Sequence, residues 1–156
     1  MSSHDLLLFL HVIGASVLIG TGAGIAFFMV LANRSRDAGL IAHVAGIVVV
    51  ADTLFTAPAV IFQPLSGYLL ARTAGWPVLE GWVGASLALY LVVVACWLPV
   101  VWIQIRMRDL ARAARDAGTA LPAGYHRLYR WWLALGFPAF GAVLAILWLM
   151  LTKPPL

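Results

Sequence analysis

From Trp82 to Ile105 the chain reads WVGASLALYLVVVACWLPVVWIQI, with no acidic or basic side chain. A hydrocarbon core of about 30 Å needs about 20 apolar residues in a helix to cross it. This stretch is long enough. Three more runs pass the same test: about Leu6–Ala32, Leu40–Leu70 and Trp131–Thr152. The only Asp, Glu, Lys or Arg inside any of the four is Asp52. The runs predict an all-α membrane protein, a four-transmembrane-helix bundle forming one domain over residues 1–156.

Composition agrees. Of the 156 residues, 63% are hydrophobic and 10% charged, against about 25% charged residues in soluble domains. A water-soluble protein of this size has nowhere to hide so much apolar surface. The net charge of +4 does not point to nucleic acid, because the basic residues lie between the apolar runs. The first run has Asp5 ahead of it and no Lys or Arg, and exceeds a signal h-region, so it reads as a permanent span. Cys96, the single cysteine, has no internal disulfide partner and reads as a small apolar core residue.

The basic residues set the orientation. Arg34 and Arg36 follow span 1, and Arg106, Arg108, Arg112, Arg115, Arg127 and Arg130 lie between spans 3 and 4. The opposite side carries Arg72 and Lys153. The positive-inside rule then places the loops at about 33–39 and 106–130 in the cytoplasm and both termini outside. Trp76, Trp82, Trp131 and Trp132 mark span ends, where amphipathic rings favour the headgroup level. The Arg106–Ala117 segment is Ala- and Arg-rich and helix-favouring. Arg112 and Asp116 are spaced i, i+4, and Gly118 is a stop signal. Span 3 is therefore expected to continue as a helix beyond the membrane. That helix serves either as a solvated topology anchor or as a binder of anionic lipid or an acidic partner.

Span 2 is long: about 31 residues would reach roughly 46 Å as an ideal helix. Pro58 and Pro64 predict a bend, since each removes an N–H and crowds the preceding turn. Pro99 and Pro138 put weak points in spans 3 and 4. In span 1, Gly20 and Gly24 form a small-xxx-small pair suited to close helix packing.

Polar groups at membrane depth are costly and so informative. His11 lies roughly 9 Å into span 1. Gln63 and Ser66 of span 2 and Tyr90 of span 3 come to a similar depth, which predicts a small polar layer near the outer side. Asp52 falls near the middle of span 2, with Thr53, Thr56 and Thr21 at comparable depth and no Lys or Arg. Two roles stand for it: a structural hydrogen bond, or proton and substrate handling. His4 is expected in water, and His43 and His126 at the opposite boundary. His11 has two readings as well, a hydrogen bond to a neighbouring helix or an axial ligand to haem iron. No CxxCH attachment motif, nucleotide-binding glycine motif, Ser/His/Asp arrangement or multi-histidine metal cluster is present.

Phe9-Leu10-His11-Val12-Ile13-Gly14 resembles the opening of the first helix in HemJ-type protoporphyrinogen oxidases and CopD-like membrane proteins. Thr56-Ala57-Pro58 and Gly81-Trp82 are similar to the HemJ layout too. The whole pattern resembles still more closely a family of bacterial predicted integral membrane proteins of unknown function. The residues that carry this are His11–Gly14, Gly20-Thr21-Gly22, Asp52 and Phe55–Pro64. These resemblances imply a multi-pass protein of the bacterial inner membrane. The HemJ resemblance implies non-covalent haem b in a redox role, with His11 as axial ligand. It does not extend to the start of span 3, where the HemJ pattern has a histidine and a lysine and this chain has Gly84 and Ser86. A non-enzymatic scaffold, accessory subunit or homo-oligomer, and a binder or transporter of a proton or small molecule working through Asp52, Gln63 and Tyr90, are the alternatives.

Overall fold

The computed structural model describes residues 2–155 and is helical throughout apart from short connections. The elements are α1 (Ser3–Ser35), α2 (Ala38–Ala51), a five-residue π-helical turn (Asp52–Thr56), α3 (Ala57–Thr73), α4 (Gly81–Ala117) and α5 (Ala123–Thr152). α2, the π-turn and α3 run on as one span, Ala38–Thr73, so four helices are long and apolar enough to cross a membrane.

Local chemistry sets the ends. Ser2 caps α1: its Oγ accepts from the Asp5 N–H at 3.1 Å, and Asp5 Oδ2 accepts from the Ser2 N–H at 2.9 Å. α1 stops where Arg36 takes a left-handed conformation, φ 58°. Asp37 then caps α2 by accepting from the Leu40 N–H at 2.9 Å. The first connection is thus a two-residue turn, tighter than the 33–39 loop expected. α4 continues past the apolar run to Ala117 and ends at Gly118, φ 62°. α5 begins at Ala123, about two turns before the expected start of span 4. The 106–130 loop therefore shrinks to residues 118–122, because helix-forming residues continue both helices out of the apolar zone. The longer α5 also moves Trp132. The expectation put this ring at a span end, but it is 5% exposed and packs within the apolar core.

That core lies at the arginine-rich end. It joins Ile25, Met29 and Ala32 of α1, Ile41, Ala42, Ala45 and Val48 of α2, Ile103, Met107 and Ala111 of α4, and Tyr125 and Trp132 of α5. α4 and α5 pack along each other, and α2 packs along the second half of α4. Toward the termini the arrangement changes. α3 packs on α1 and makes few contacts with α4. Large apolar side chains such as Leu79, Phe137 and Leu151 face outward, as lipid solvation permits. Gly20 and Gly24 also face outward: a Cβ added at either would meet nothing within 4 Å. The expected close helix contact at this pair does not form within the chain.

Span 2 departs from regular helix just before Pro58. The Ala57 N–H reaches back five residues to the Asp52 carbonyl. Proline offers no N–H to the carbonyl four residues earlier, and its ring crowds it. A wider turn relieves that crowding. Thr53 Oγ1 also donates to the Val49 carbonyl at 2.8 Å, a back-bond that loosens helix geometry.

Candidate functional site

Apart from Gln104 at the arginine-rich end, the buried polar side chains lie in the other half of the bundle: His11, Asp52, Thr56, Gln63, Ser66 and Ser86. Helical spacing explains the grouping. Asp52, Thr56, Gln63 and Ser66 lie on one inward stripe of span 2, and Leu54, Phe55, Ile61 and Leu65 lie outward.

The structure brings His11, Gln63 and Ser66 together. His11 Nδ1 and Ser66 Oγ are 2.7 Å apart. Ser66 Oγ also lies within reach of the Phe62 and Gln63 carbonyls, at 2.8 and 3.2 Å. Gln63 Nε2 donates to the His11 carbonyl at 3.0 Å. The helices meet closely here through glycines. A Cβ on Gly14 would lie 3.0 Å from Gln63 Nε2, and one on Gly67 would lie 3.3 Å from His11 Cε1. Tyr90 is set apart from this trio: its hydroxyl donates to the Val60 carbonyl and ties α4 to α3.

Asp52 sits in the π-turn and is 5% exposed. Its Oδ1 accepts from Trp97 Nε1 at 3.2 Å. Its Oδ2 makes no hydrogen bond among the described residues, and neither do the buried Thr56 Oγ1 and Gln63 Oε1. No cation pairs with Asp52 among the described residues. Thr21 does not reach it and instead lines an outward groove with Gly20 and Phe55. Trp97 is the partner that sequence reasoning missed. The signal was present, since an indole N–H deep in a span needs an acceptor, but tryptophan also reads as an apolar residue. The arrangement offers a carboxyl group, a hydroxyl and an amide oxygen on one stripe, each with unused hydrogen-bonding capacity.

The remaining histidines stand apart. His4, exposed, lies 3.3 Å from Thr73 Oγ1 through Nδ1. His43 and His126 are exposed at the opposite end. Among the described residues no group of three or more His, Cys, Asp and Glu side chains is placed to hold a metal ion. The two-ligand haem arrangement implied by the HemJ resemblance does not fit these residues. The α1–α3 contact beside His11 is closed by Gly14 and Gly67. A Cβ on Gly84 would fall 2.6 Å from the Leu79 carbonyl oxygen, so that position has no room for a ligand side chain. His11 Nε2 makes no hydrogen bond among the described residues.

No curated protein and no solved structure matches the chain significantly. A family model does match, over residues 5–154, and it describes a predicted integral membrane protein. With nearly the whole chain inside that match, and four apolar helices to carry it, this protein belongs to the DUF2269 family of predicted integral membrane proteins.

Proposed function

We propose that this integral membrane protein takes up and releases a proton at Asp52, in step with a small polar solute held along the buried stripe of Asp52, Thr56 and Gln63. The observation that carries this reading is the buried carboxyl group of Asp52, whose Oδ2 makes no hydrogen bond of ordinary geometry and faces the Thr56 hydroxyl. A carboxyl group at membrane depth that serves structure alone is expected to have its oxygens satisfied. Here one oxygen is anchored on Trp97 and the other is available. A hydroxyl can donate to a carboxylate or accept from a carboxylic acid, so Thr56 suits either state.

Infrared difference spectra of proteoliposomes, recorded across a pH step, test the reading. A buried carboxyl band that titrates in the wild type and vanishes in Asp52→Asn is the expected result. Asparagine keeps an acceptor for Trp97 but carries no titrating proton. A wild-type spectrum without such a band ends the proposal.

A second reading makes the protein a redox component that holds haem b on His11 alone. It is favoured by one observation: with Nδ1 engaged by Ser66, Nε2 faces no partner. Protein purified after expression with ample haem would show a Soret band that His11→Ala removes; without a Soret band this reading fails. On either reading, the arginine distribution supports an orientation with both termini outside.

A further inference from the structure

A groove of about 410 Å³ runs between α2 and α4 at the arginine-rich end, lined by Ala42, His43, Gly46, Ile47, Val50, Arg112 and Arg115. Helical spacing makes it. His43, Gly46, Ile47 and Val50 are i, i+3, i+4 and i+7, one stripe of α2, and Arg112 and Arg115 are i, i+3 on the facing side of α4. The stripe is graded. Its polar end holds two guanidinium groups, and its other end holds Ile47 and Val50, exposed by 55% and 56% on the side toward the membrane centre.

Arg112 makes no ion pair among the described residues. Its guanidinium lies over Gly46, where an added Cβ would stand 3.5 Å from Nη2. Glycine thus lets the charge settle against α2 within the groove. Arg115 pairs with Asp116 through Nε at 2.8 Å, which holds its side chain in place. Arg112, spaced i, i+4 from Asp116, makes no ion pair with it, because the Asp116 carboxylate turns to Arg115.

We propose that this groove binds one anionic phospholipid, with its phosphate at Arg112 and Arg115 and an acyl chain along Ile47 and Val50. Charge complementarity selects an anion, and guanidinium forks suit phosphate oxygens. The apolar continuation selects a lipid, since a free phosphate would leave Ile47 and Val50 uncovered. The site lies where the apolar part of α2 gives way to the charged end, the level of headgroups.

Native mass spectrometry of the detergent-purified full chain tests this, with phosphatidylglycerol, phosphatidylcholine of the same acyl chains, or inorganic phosphate added. Wild type is expected to retain phosphatidylglycerol in preference to phosphatidylcholine. Arg112→Gln with Arg115→Gln should weaken that retention by roughly fivefold for each arginine removed. Arg127→Gln with Arg130→Gln, which removes the same charge from exposed positions of α5, should leave it unchanged. Gly46→Leu fills the groove without altering charge and should also weaken retention, so it decides the matter if the double arginine variant misfolds. Equal retention of both lipids by wild type overturns the proposal. So does equal loss in the two arginine pairs, full retention in Gly46→Leu, or binding of inorganic phosphate alone with no lipid preference.

Discussion

Ser66 shows how little a single group needs to do in lipid to matter. Its hydroxyl fixes the His11 imidazole, while Gln63 holds the backbone of the same turn. Hydrogen bonds between membrane helices average about 0.6 kcal/mol and reach about 1.7. Ser66→Ala should therefore cost roughly 0.5–1.7 kcal/mol, read from unfolding in a denaturing detergent series. Gly14→Leu should cost more, about 1–3 kcal/mol, because its side chain must displace Gln63 and Phe62. If Gly14→Leu proves the milder of the two, the α1–α3 contact is looser than described. At this scale the sequence was informative wherever a polar residue lay deep in an apolar run. His11, Gln63, Ser66 and Asp52 declare themselves by cost alone. Trp97 does not, since its polar atom is hidden in an apolar residue type. Nor does the outward turn of Gly20 and Gly24, because small residues read alike whether they face a helix or lipid.

The π-turn is the element that aligns span 2. It accommodates one residue more per turn than an α-helix would, and α3 then presents Gln63 and Ser66 to His11. Deleting Leu54, an outward residue of the turn, should let the segment revert to α-helix while the faces beyond it stay aligned. Inserting an alanine after Leu54 instead rotates everything downstream by about 100°. The deletion is expected to lower Tm by only about 2–4 °C, equivalent to roughly 1 kcal/mol in a chain of this size. The insertion should abolish the cooperative transition. Thermal melts in detergent, followed by circular dichroism, distinguish them. Pro58 announced an irregularity in this span, but its form was not readable. A proline removes a hydrogen bond in either a kink or a π-turn, and tertiary packing of Asp52 and Thr56 selects between them. The start of α5 departs from the apolar run for a related reason, whereas α4 ends at the Gly118 stop that the sequence marks. Apolar runs measure the membrane's thickness, whereas caps such as Gly118 measure the helix.

For the molecule as a whole, the number of spans follows from apolar run length, and their pairing does not. Nothing in the runs says that α4 packs along α5, or that α3 leans on α1 and away from α4. Those choices depend on which small and polar residues face inward, and both faces of each helix are apolar. Orientation rests on charge. Thr119→Cys, in the connection after Gly118, should react with a membrane-impermeant maleimide only in inverted vesicles. Labelling from the outside of intact cells would reverse the topology and move the Arg112 groove to the other leaflet.

The unequal halves of the bundle have a mechanical consequence. The arginine-rich half is closed by interlocked apolar side chains from α1, α2, α4 and α5. The seam between α3 and the first half of α4 is thin, and its polar links are Tyr90 on the Val60 carbonyl and, at its base, Trp97 on Asp52. Bonds of this kind, worth about 0.6 kcal/mol each in lipid, are comparable to thermal energy. The α3–α4 seam is therefore expected to part more readily than the packed core, like a pair of tongs pivoting on that core. Parting of the tips would expose the carboxyl group of Asp52 at the bottom of the gap.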